Sequence, residues 1–447
     1  VGQQHAFTGL TLAVHRQVIE AQHHVLRRHD DRLAVGGAED VVGRHHQHAR
    51  LELGFQRQRH VDRHLVAVEV RVVGGADERM DPDGLALDEH RLEGLHRQAV
   101  QRRSAVEKHR AKAGGAVVLD VRTGEILAIA NWPSYNPNSR KALSGEQLRN
   151  RVLTDTFEPG STMKPFPVAL ALEQGKVQPE TNMTIGQKLL IGPKPITDTH
   201  PYGMLTVSQV IQKSSNIGTA KLALQLEPRE MWDLFAAVGF GQSPNIGFPG
   251  AVAGMLHPYQ KWGQSDQARM SFGYGVSTSL FQLARAYTIF ARDGELVPTT
   301  ILRSPEYKPG TRIISAKTAI EMRGMLETVT EQGGTAVTAR AEGFRVGGKT
   351  GTSHKVEGKG YASNKYRAFF VGLAPISAPR IVVAVMVDEP TAGGYYGGQV
   401  AAPVFSTIVS ETLRSLNISP DIGDRNLVEV QDISPSAMKL QKVVLKQ

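Results

Sequence analysis

The chain contains no cysteine, which excludes both a disulfide framework and catalysis by a thiolate. This absence suits an oxidising compartment, although it does not establish one. The sequence also has no run of about 18 apolar residues that would span a membrane. Its amino terminus lacks the basic, apolar and small-residue pattern of a signal peptide. As written, the sequence is therefore expected neither to insert into a membrane nor to direct its own export.

Signals for metal or nucleic-acid binding are weak. The formal net charge is +9 over 447 residues, which by itself would suit nucleic acid or an anionic surface. However, no basic helix is interleaved with aromatic residues, and the pairs His23-His24 and His45-His46 lack the ordered spacing of zinc ligands. Because 40% of the residues are apolar, we expect a mildly basic globular protein of two or three domains that binds neither metal nor nucleic acid.

The composition changes abruptly near residue 108. The amino-terminal segment, residues 1–107, contains 15 arginines but no lysine, asparagine, tyrosine or tryptophan. It also holds 12 of the 16 histidines, and its apolar residues follow neither a helical nor a strand period. Two interpretations are open: a genuine His/Arg-rich accessory domain, or translation of a GC-rich coding region in a wrong frame or strand. The second is favoured, because the skew affects many residue types together.

From Gly114 onward the sequence has the pattern of a folded domain, which we expect to span 108–420 and to be followed by a tail at 421–447. Apolar runs at 116–120 and 125–130 flank a turn and predict a hairpin. Apolar spacing predicts helices at 168–173, 206–213, 217–226, 228–238, 280–293, 316–329 and 402–416. Apolar runs predict strands at 345–350, 368–374 and 381–387. A sheet flanked by helices, with strands from both ends of the domain, is the expected architecture.

Ser161 and Lys164 lie three residues apart at a predicted helix start. Residues at this spacing share a helix face, with Cβ atoms about 5 to 6 Å apart, so the amine would reach the hydroxyl. A serine hydroxyl needs a base, and a lysine can serve if burial or nearby positive charge lowers its pKa. One such pair is weak support, because Ser-x-x-Lys arises by chance roughly once or twice in a chain of this length. The match at 436–439 is interpreted as such an accident.

Two further motifs follow in a fixed order. Ser-Ser-Asn at 214–216 begins 53 residues after Ser161, at a predicted helix junction. Lys-Thr-Gly-Thr at 349–352 begins 135 residues after Ser214, on a predicted strand. Taken singly, these residues would most often cap a helix, complete a turn or end a strand. As an ordered set they are far less easily explained by chance.

Ser-x-x-Lys, Ser-x-Asn and Lys-Thr-Gly in this order make the sequence resemble penicillin-binding proteins and serine β-lactamases. The surrounding sequence is similar to class B, cell-division type penicillin-binding proteins over about 105–420. The stretches that carry this similarity are AVVLD at 116–120, NWPSYNP at 131–137 and YGG at 396–398 followed by APVF at 402–405. This resemblance implies an α/β fold of the α+β type. It has a five-stranded, mainly antiparallel sheet flanked by helices, and a mostly helical subdomain that holds the first two motifs.

The resemblance also implies a reaction, that of a peptidoglycan D,D-transpeptidase. Ser161 would attack the penultimate D-alanine carbonyl of a stem peptide ending in D-Ala-D-Ala, and an acyl-enzyme would result. Lys164 would be the base for acylation, and Ser214 would relay a proton to the leaving D-alanine. Backbone N–H groups of Ser161 and Thr352 would form the oxyanion hole. An acceptor amine from a neighbouring stem peptide would complete the cross-link, without metal or cofactor.

Substrate binding is implied for the remaining motif residues. Asn216 would bind the amide of the donor, whereas Lys349 and Thr350 would hold its terminal carboxylate. Gly351 and the glycines at 347–348 would let a ligand approach the strand edge, because no side chain blocks it. Thr352 completes this substrate-binding set.

The resemblance implies partners and a location as well. The partners would be peptidoglycan stem peptides, β-lactams, a glycosyltransferase and division proteins. The catalytic domain would be periplasmic and attached to the inner membrane, although the sequence shows no anchor. Two other functions remain open: hydrolysis, by a D,D-carboxypeptidase or β-lactamase, and a non-catalytic β-lactam receptor. Ser215 argues against a class A β-lactamase, which commonly has aspartate there.

Four residues near the motifs raise three further expectations. Pro167 is expected to kink or delay the helix after Lys164, because proline removes a helical hydrogen bond. His354 is expected to be a flanking surface residue. Tyr395 and Tyr396 are expected either to wall the cleft or to pack.

Overall fold

A computed structural model describes five stretches of the chain: 105–135, 144–192, 194–304, 306–358 and 360–422. Nearly all of the amino-terminal segment, including its histidine pairs, lies outside these residues. So do the chance Ser-x-x-Lys match at 436–439 and nearly all of the tail. In the described part of the chain, no helix has both the length and the apolar character needed to cross a bilayer.

The strands and helices of the described residues are numbered in chain order. The strands are β1 (Ala113–Asp120), β2 (Ile126–Trp132), β3 (Asn182–Gly186), β4 (Tyr202–Thr206), β5 (Met255–Leu256), β6 (Val276–Ser277), β7 (Glu295–Leu296), β8 (Thr311–Arg312), β9 (Gly347–Glu357), β10 (Gly360–Ala374) and β11 (Ile381–Asp388). The helices are α1 (Gly145–Leu148), α2 (Arg151–Thr154), α3 (Pro165–Glu173), α4 (Val207–Gln212), α5 (Asn216–Ala223), α6 (Pro228–Ala237), α7 (Gln264–Met270), α8 (Leu280–Ala291), α9 (Ala316–Thr328), α10 (Gly397–Val400) and α11 (Ala402–Ser415).

Five strands form one antiparallel sheet in the order β2-β1-β11-β10-β9. Strands β1 and β11 are buried along their whole length, because their valine, isoleucine and alanine residues place apolar side chains on both faces. Helices α8, α9 and α11 pack against the sheet. The expected α/β fold, an antiparallel five-stranded sheet flanked by helices, is confirmed.

A mostly helical region lies in sequence between the first two strands of the sheet and the last three. It comprises α3 to α7 and the two-stranded β3–β4 hairpin. Apolar residues of the hairpin, α4, α5 and α7 form a small second core that includes Ile185, Leu205, Val210, Ile217 and Ala268. This region corresponds to the helical subdomain that the resemblance implies, and it carries the first two motifs.

Most predicted elements occur close to their expected positions, but β9, β10, the β3–β4 hairpin and α7 differ. Strands β9 and β10 extend well beyond the apolar runs at 345–350 and 368–374. Their outer halves are polar and pair through backbone hydrogen bonds, which require no apolar pattern. The β3–β4 hairpin and α7 were not predicted, because five-residue strands and a seven-residue helix offer too few repeats for a period to be read.

Candidate active site

Ser161 lies in a tight 3-10 turn, Gly160–Met163, that precedes α3. Gly160 has φ +56°, a left-handed conformation that favours glycine. Its N–H donates to the carbonyl of Gly273 at 3.2 Å, and a side chain at Gly273 would lie 2.1 Å from the Gly160 oxygen. From α8, the buried Tyr287 hydroxyl donates to the carbonyl oxygen of Thr162 at 2.7 Å. The turn is therefore held from both sides of the nucleophile.

The expected kink or delay at Pro167 does not occur. Helix α3 begins at Pro165 and continues to Glu173, and its hydrogen bonding starts where Val168 N–H donates to the carbonyl of Lys164 at 3.4 Å. The N–H groups of a first helical turn have no intrahelical acceptor. Two prolines in that turn therefore remove no helical bond, and they leave the side chain of Lys164 at the helix start.

Lys164 is fully buried and joins the first two motifs. Its Nζ lies 2.8 Å from Ser161 Oγ and 3.0 Å from Ser214 Oγ, and it donates to the Ser214 carbonyl at 2.6 Å. Burial, followed by the positive charge of Lys349, lowers the pKa of Lys164 well below its usual value, while Asp198 opposes this shift. A neutral amine at this position can accept the proton of the Ser161 hydroxyl.

The second motif forms a helix start. Ser214 has φ +60°, a strained conformation for a residue with a side chain. Ser215 caps α5, and its hydroxyl donates to Asp198 Oδ2 at 2.6 Å. The Asn216 side chain donates to the carbonyl of Thr197 at 2.9 Å. The motif is therefore fixed by a loop that precedes it in the chain.

The third motif lies on β9 and is hydrogen-bonded at each polar side chain. Lys349 is fully buried, which lowers its pKa to about 7. Its Nζ donates to the carbonyl and hydroxyl oxygens of Thr350 at 3.2 and 3.3 Å. The Thr350 hydroxyl is also 3.0 Å from that of Thr335. Thr352 Oγ1 accepts from the N–H of Gly397 at 3.0 Å. These contacts connect β9 to α10 and to the loop after α9.

Glycines of the third motif pack against protein on the side where a Cβ would lie, and the expected approach of a ligand to the edge of β9 stays a prediction. A Cβ at Gly351 would lie 2.9 Å from Thr162 Cγ2 and 3.0 Å from the carbonyl oxygen of Pro159. A Cβ at Gly348 would lie 2.5 Å from the carbonyl oxygen of its neighbour on β10, and one at Gly347 would be 2.6 Å from a side-chain atom. These glycines allow β9 to approach β10, α9 and the Ser161 turn closely.

Aromatic rings form a continuous row beyond the third motif. Centroid distances are 4.5 Å between His354 and Tyr366, 4.2 Å between Tyr366 and Tyr395, and 4.4 Å between Tyr395 and Tyr396. His354 is therefore not a plain surface residue: its ring is half-buried in this row. The pair at 395–396 packs in the row and also has exposed area, which is compatible with either expectation.

Several residues that shape the site were not found from the sequence. Asp198, Thr335 and Tyr287 each contact a motif residue but belong to no motif. Tyr287 is 125 residues from its partner, whereas Asp198 and Thr335 lie 17 and 15 residues before theirs. All three stand outside the motifs, so the motif pattern gave no signal for them. Among the described residues, no group of three His, Cys, Asp or Glu side chains is placed to hold a metal ion.

The three motifs thus converge. The hydrogen bonds of Lys164 join the first to the second. The charge of Lys349, which acts on Lys164, and the contact between Gly351 and the Ser161 turn bring in the third. The arrangement contains a partly exposed serine, a buried lysine beside it whose pKa is lowered by burial and by the charge of Lys349, a second hydroxyl on that lysine and a second buried lysine. Such a set suits acyl transfer through a covalent serine ester.

Comparison with known sequences identifies the family. The family model described as "Penicillin binding protein transpeptidase domain" matches residues 114–410. A protein of Neisseria flavescens named probable peptidoglycan D,D-transpeptidase PenA is 49% identical over 317 residues, which are 71% of this chain and 79% of that protein. Peptidoglycan D,D-transpeptidase FtsI of Escherichia coli K12 is 40% identical over 345 residues, or 76% of this chain. The chain spans 58% of that relative and 54% of the meningococcal PenA proteins.

Solved structures agree with this result. The transpeptidase domain of Burkholderia pseudomallei penicillin-binding protein 3 is 50% identical, with a TM-score of 0.67, and the match covers 76% of this chain and 96% of that one. A Burkholderia ambifaria structure described as a peptidoglycan glycosyltransferase is 49% identical, with a TM-score of 0.65, over 76% of this chain and 98% of that one. The chain therefore belongs to the penicillin-binding protein transpeptidase family, as a class B member of the FtsI type.

Proposed function

We propose that the chain is a peptidoglycan D,D-transpeptidase that cross-links stem peptides through an acyl-enzyme on Ser161. The observation that carries the proposal is the position of Lys164, fully buried with its amine 2.8 Å from Ser161 Oγ and 3.0 Å from Ser214 Oγ. The family relatives named D,D-transpeptidases support the same reaction.

In the acylation half-reaction, Ser161 Oγ attacks the carbonyl carbon of the penultimate D-alanine while its proton moves to the neutral amine of Lys164. The tetrahedral oxyanion is held by the N–H groups of Ser161 and Thr352. When it collapses, the C–N bond to the last D-alanine breaks. Ser214 donates its hydroxyl proton to that nitrogen and takes a proton from Lys164, because its Oγ lies within hydrogen-bond distance of Nζ.

In the second half-reaction, an amine from a neighbouring stem peptide attacks the ester carbon. Its proton is taken by Lys164, directly or through Ser214, and the bond to Ser161 Oγ breaks as that oxygen regains a proton. Every proton removed in one step is therefore returned in the other. The product is a new peptide cross-link, and the serine and the neutral lysine are restored.

Substrate binding is assigned to residues beside these groups. Asn216 binds the donor's amide, and Lys349 with Thr350 holds its terminal carboxylate. Gly351 allows the strand to pack against the Ser161 turn, and Thr352 contributes its backbone N–H. A carboxylate close to Lys349 would favour the charged form of that lysine, so donor binding strengthens the ion pair on which it depends.

Septal cell-wall synthesis, a periplasmic domain attached to the inner membrane, and glycosyltransferase and division partners are also part of the proposal. Similarity to the FtsI-type relative supports the septal role and the membrane-attached periplasmic domain, and the partner proteins stay a prediction. We assign the transpeptidase domain to residues 108–420. Limited proteolysis followed by mass spectrometry should leave a stable fragment with these bounds, and cleavage within β9 or α5 would contradict them.

The direct test gives the purified protein a labelled stem-peptide donor together with an amine acceptor. Transfer predicts a labelled amide product that is lost in Ser161→Ala. Ser436→Ala serves as a matched control and should keep full activity, because its Ser-x-x-Lys match is treated as accidental. Release of only the free acid would assign a D,D-carboxypeptidase instead. A stable penicillin adduct with no turnover of donor would assign a β-lactam receptor.

A further inference from the structure

Asp198 makes contacts that none of the three motifs explains. It lies in the loop between β3 and β4, which is braced by backbone bonds of 2.9 Å in each direction between Leu189 and Ile196. Its Oδ2 accepts the Ser215 hydroxyl at 2.6 Å. Its Oδ1 accepts two backbone N–H groups at the start of α5, from Asn216 and from the residue after it. One carboxylate therefore receives three hydrogen bonds from a single helix start.

These bonds act on the second motif from both sides. Ser214, directly before the capped helix, holds a left-handed backbone conformation with φ +60°, which persists only where surrounding contacts enforce it. On the other side, the carbonyl of Thr197, next to Asp198, accepts from the Asn216 side chain at 2.9 Å. The same loop therefore fixes the turn that aims the Ser214 hydroxyl and the orientation of the Asn216 amide.

We propose that Asp198 is a positioning residue for acylation, which holds Ser214 and Asn216 in their working arrangement from outside the motifs. The inference rests on the proposed function and adds a residue to it. Asp198 touches neither substrate nor the reacting atoms in this scheme. It acts through the hydroxyl and the amide that do.

The charge of Asp198 gives the proposal a second readout. Burial and the Lys349 charge lower the pKa of Lys164, and the charge of Asp198 opposes them. On β4, burial and then the same Asp198 charge raise the pKa of Tyr202. Acylation requires neutral Lys164, so the acylation rate rises as the pH passes through the pKa of Lys164. This increase is the rising limb of the pH–rate profile. Removing the negative charge lowers this pKa, and the rising limb of the profile moves to lower pH.

The experiment measures the second-order rate of acylation by a labelled penicillin across pH, together with Tm, for wild type, Asp198→Asn and Asp198→Ala. Asp198→Ala should reduce the rate about 100-fold, since small misplacements of catalytic groups have effects of this size. Asp198→Asn keeps the shape and should reduce the rate about 10-fold at its plateau, with the rising limb at lower pH.

Glu173→Gln is the matched control. Glu173 accepts the backbone N–H and hydroxyl of Ser315 and the hydroxyl of Thr318 at the start of α9. Its replacement should lower Tm, but it should leave the acylation rate and the position of the rising limb of the pH–rate profile unchanged. If both Asp198 variants acylate at the wild-type rate with an unmoved limb, the proposal is overturned, whatever their Tm. If Asp198→Ala does not fold, the result for Asp198→Asn alone tests the proposal. A wild-type protein that is not acylated by penicillin would contradict the proposed function rather than the role of Asp198.

Discussion

Two parts of the molecule build the site by different means. The sheet half is the five-stranded sheet with the helices packed on it, and the helical half is the mostly helical region together with the Ser161 turn that precedes α3. The sheet half supplies Lys349 to Thr352 from a strand, where pairing with β10 fixes each position. The helical half supplies Ser161, Lys164, Ser214 and Asn216 from turns and helix starts, which are fixed by contacts from other parts of the chain. Each half also contributes one fully buried lysine. The state of the catalytic base is therefore a joint property, since one half carries the base and the other carries the charge that tunes it.

The sharpest way to test this division is to remove the base from the helical half. Lys164→Met should lower the rate of penicillin acylation at pH 7 about 1,000-fold, which is within the usual range for a general base. The fold should persist, because the change replaces a buried amine with an apolar side chain of similar length. Stopped-flow acylation and thermal unfolding would measure both effects.

Lys317→Met provides the control for that change. Lys317 has an 82% exposed side chain on α9, so its loss should leave both the rate and the stability nearly unchanged. A Lys164→Met protein that acylates as fast as wild type would show that the base lies elsewhere.

Removing the lysine of the sheet half should change three properties together. Lys349→Met is expected to lower acylation about 100-fold, because a preorganised electrostatic contact is lost. It should also move the rising limb of the pH profile to higher pH, since the Lys349 charge holds the pKa of Lys164 down. Finally, it should stabilise the protein by roughly a few kcal/mol below about pH 7, because the buried charge is removed.

The sign of the stability effect follows from proton binding. Burial lowers the pKa of Lys349 to about 7 in the folded protein, against about 10.4 in an unfolded chain. The unfolded state therefore binds more protons between these values, so wild-type stability rises with pH across this window. The advantage of Lys349→Met should be largest below about pH 7 and should fade towards pH 10.4. A gain that is the same at every pH would contradict this account.

The contact between the halves can be tested with a single methyl group. A Cβ at Gly351 would press on Thr162 and on the backbone of Pro159, so Gly351→Ala must push β9 away from the Ser161 turn. We expect the free energy of unfolding to fall by about 1 to 3 kcal/mol and the acylation rate to fall about 10-fold. Gly360→Ala, at a position with open space around it, should change neither. Equal behaviour of the two variants would show that close packing there is unimportant.

How much could be predicted differs between the halves for a physical reason. The central strands and the long helices α8, α9 and α11 carry their burial pattern in the sequence, so their positions were predicted within a few residues. The polar outer halves of β9 and β10, and the short β3–β4 hairpin, depend on backbone pairing that leaves no apolar pattern. The sequence could not distinguish them from loops.

The same limit applies to the site. The ordered motifs indicated Ser161, Lys164 and the residues at 214–216 and 349–352, because their spacing and wider text resemble a known family. Asp198 approaches the second motif only through the fold, and nothing in its neighbours marks it. The tight packing at Gly351 was not predicted either, because the sequence does not show which atoms pack against the Cα of a glycine.

The central claim is that a neutral Lys164 activates Ser161 at a site shared by both halves. The most direct measurement is peptide mass spectrometry of the whole protein after exposure to labelled penicillin near pH 7. We predict a single adduct on Ser161, absent from Ser161→Ala and strongly reduced in Lys164→Met. Label on another residue, or none on Ser161 in folded wild-type protein, would contradict the account.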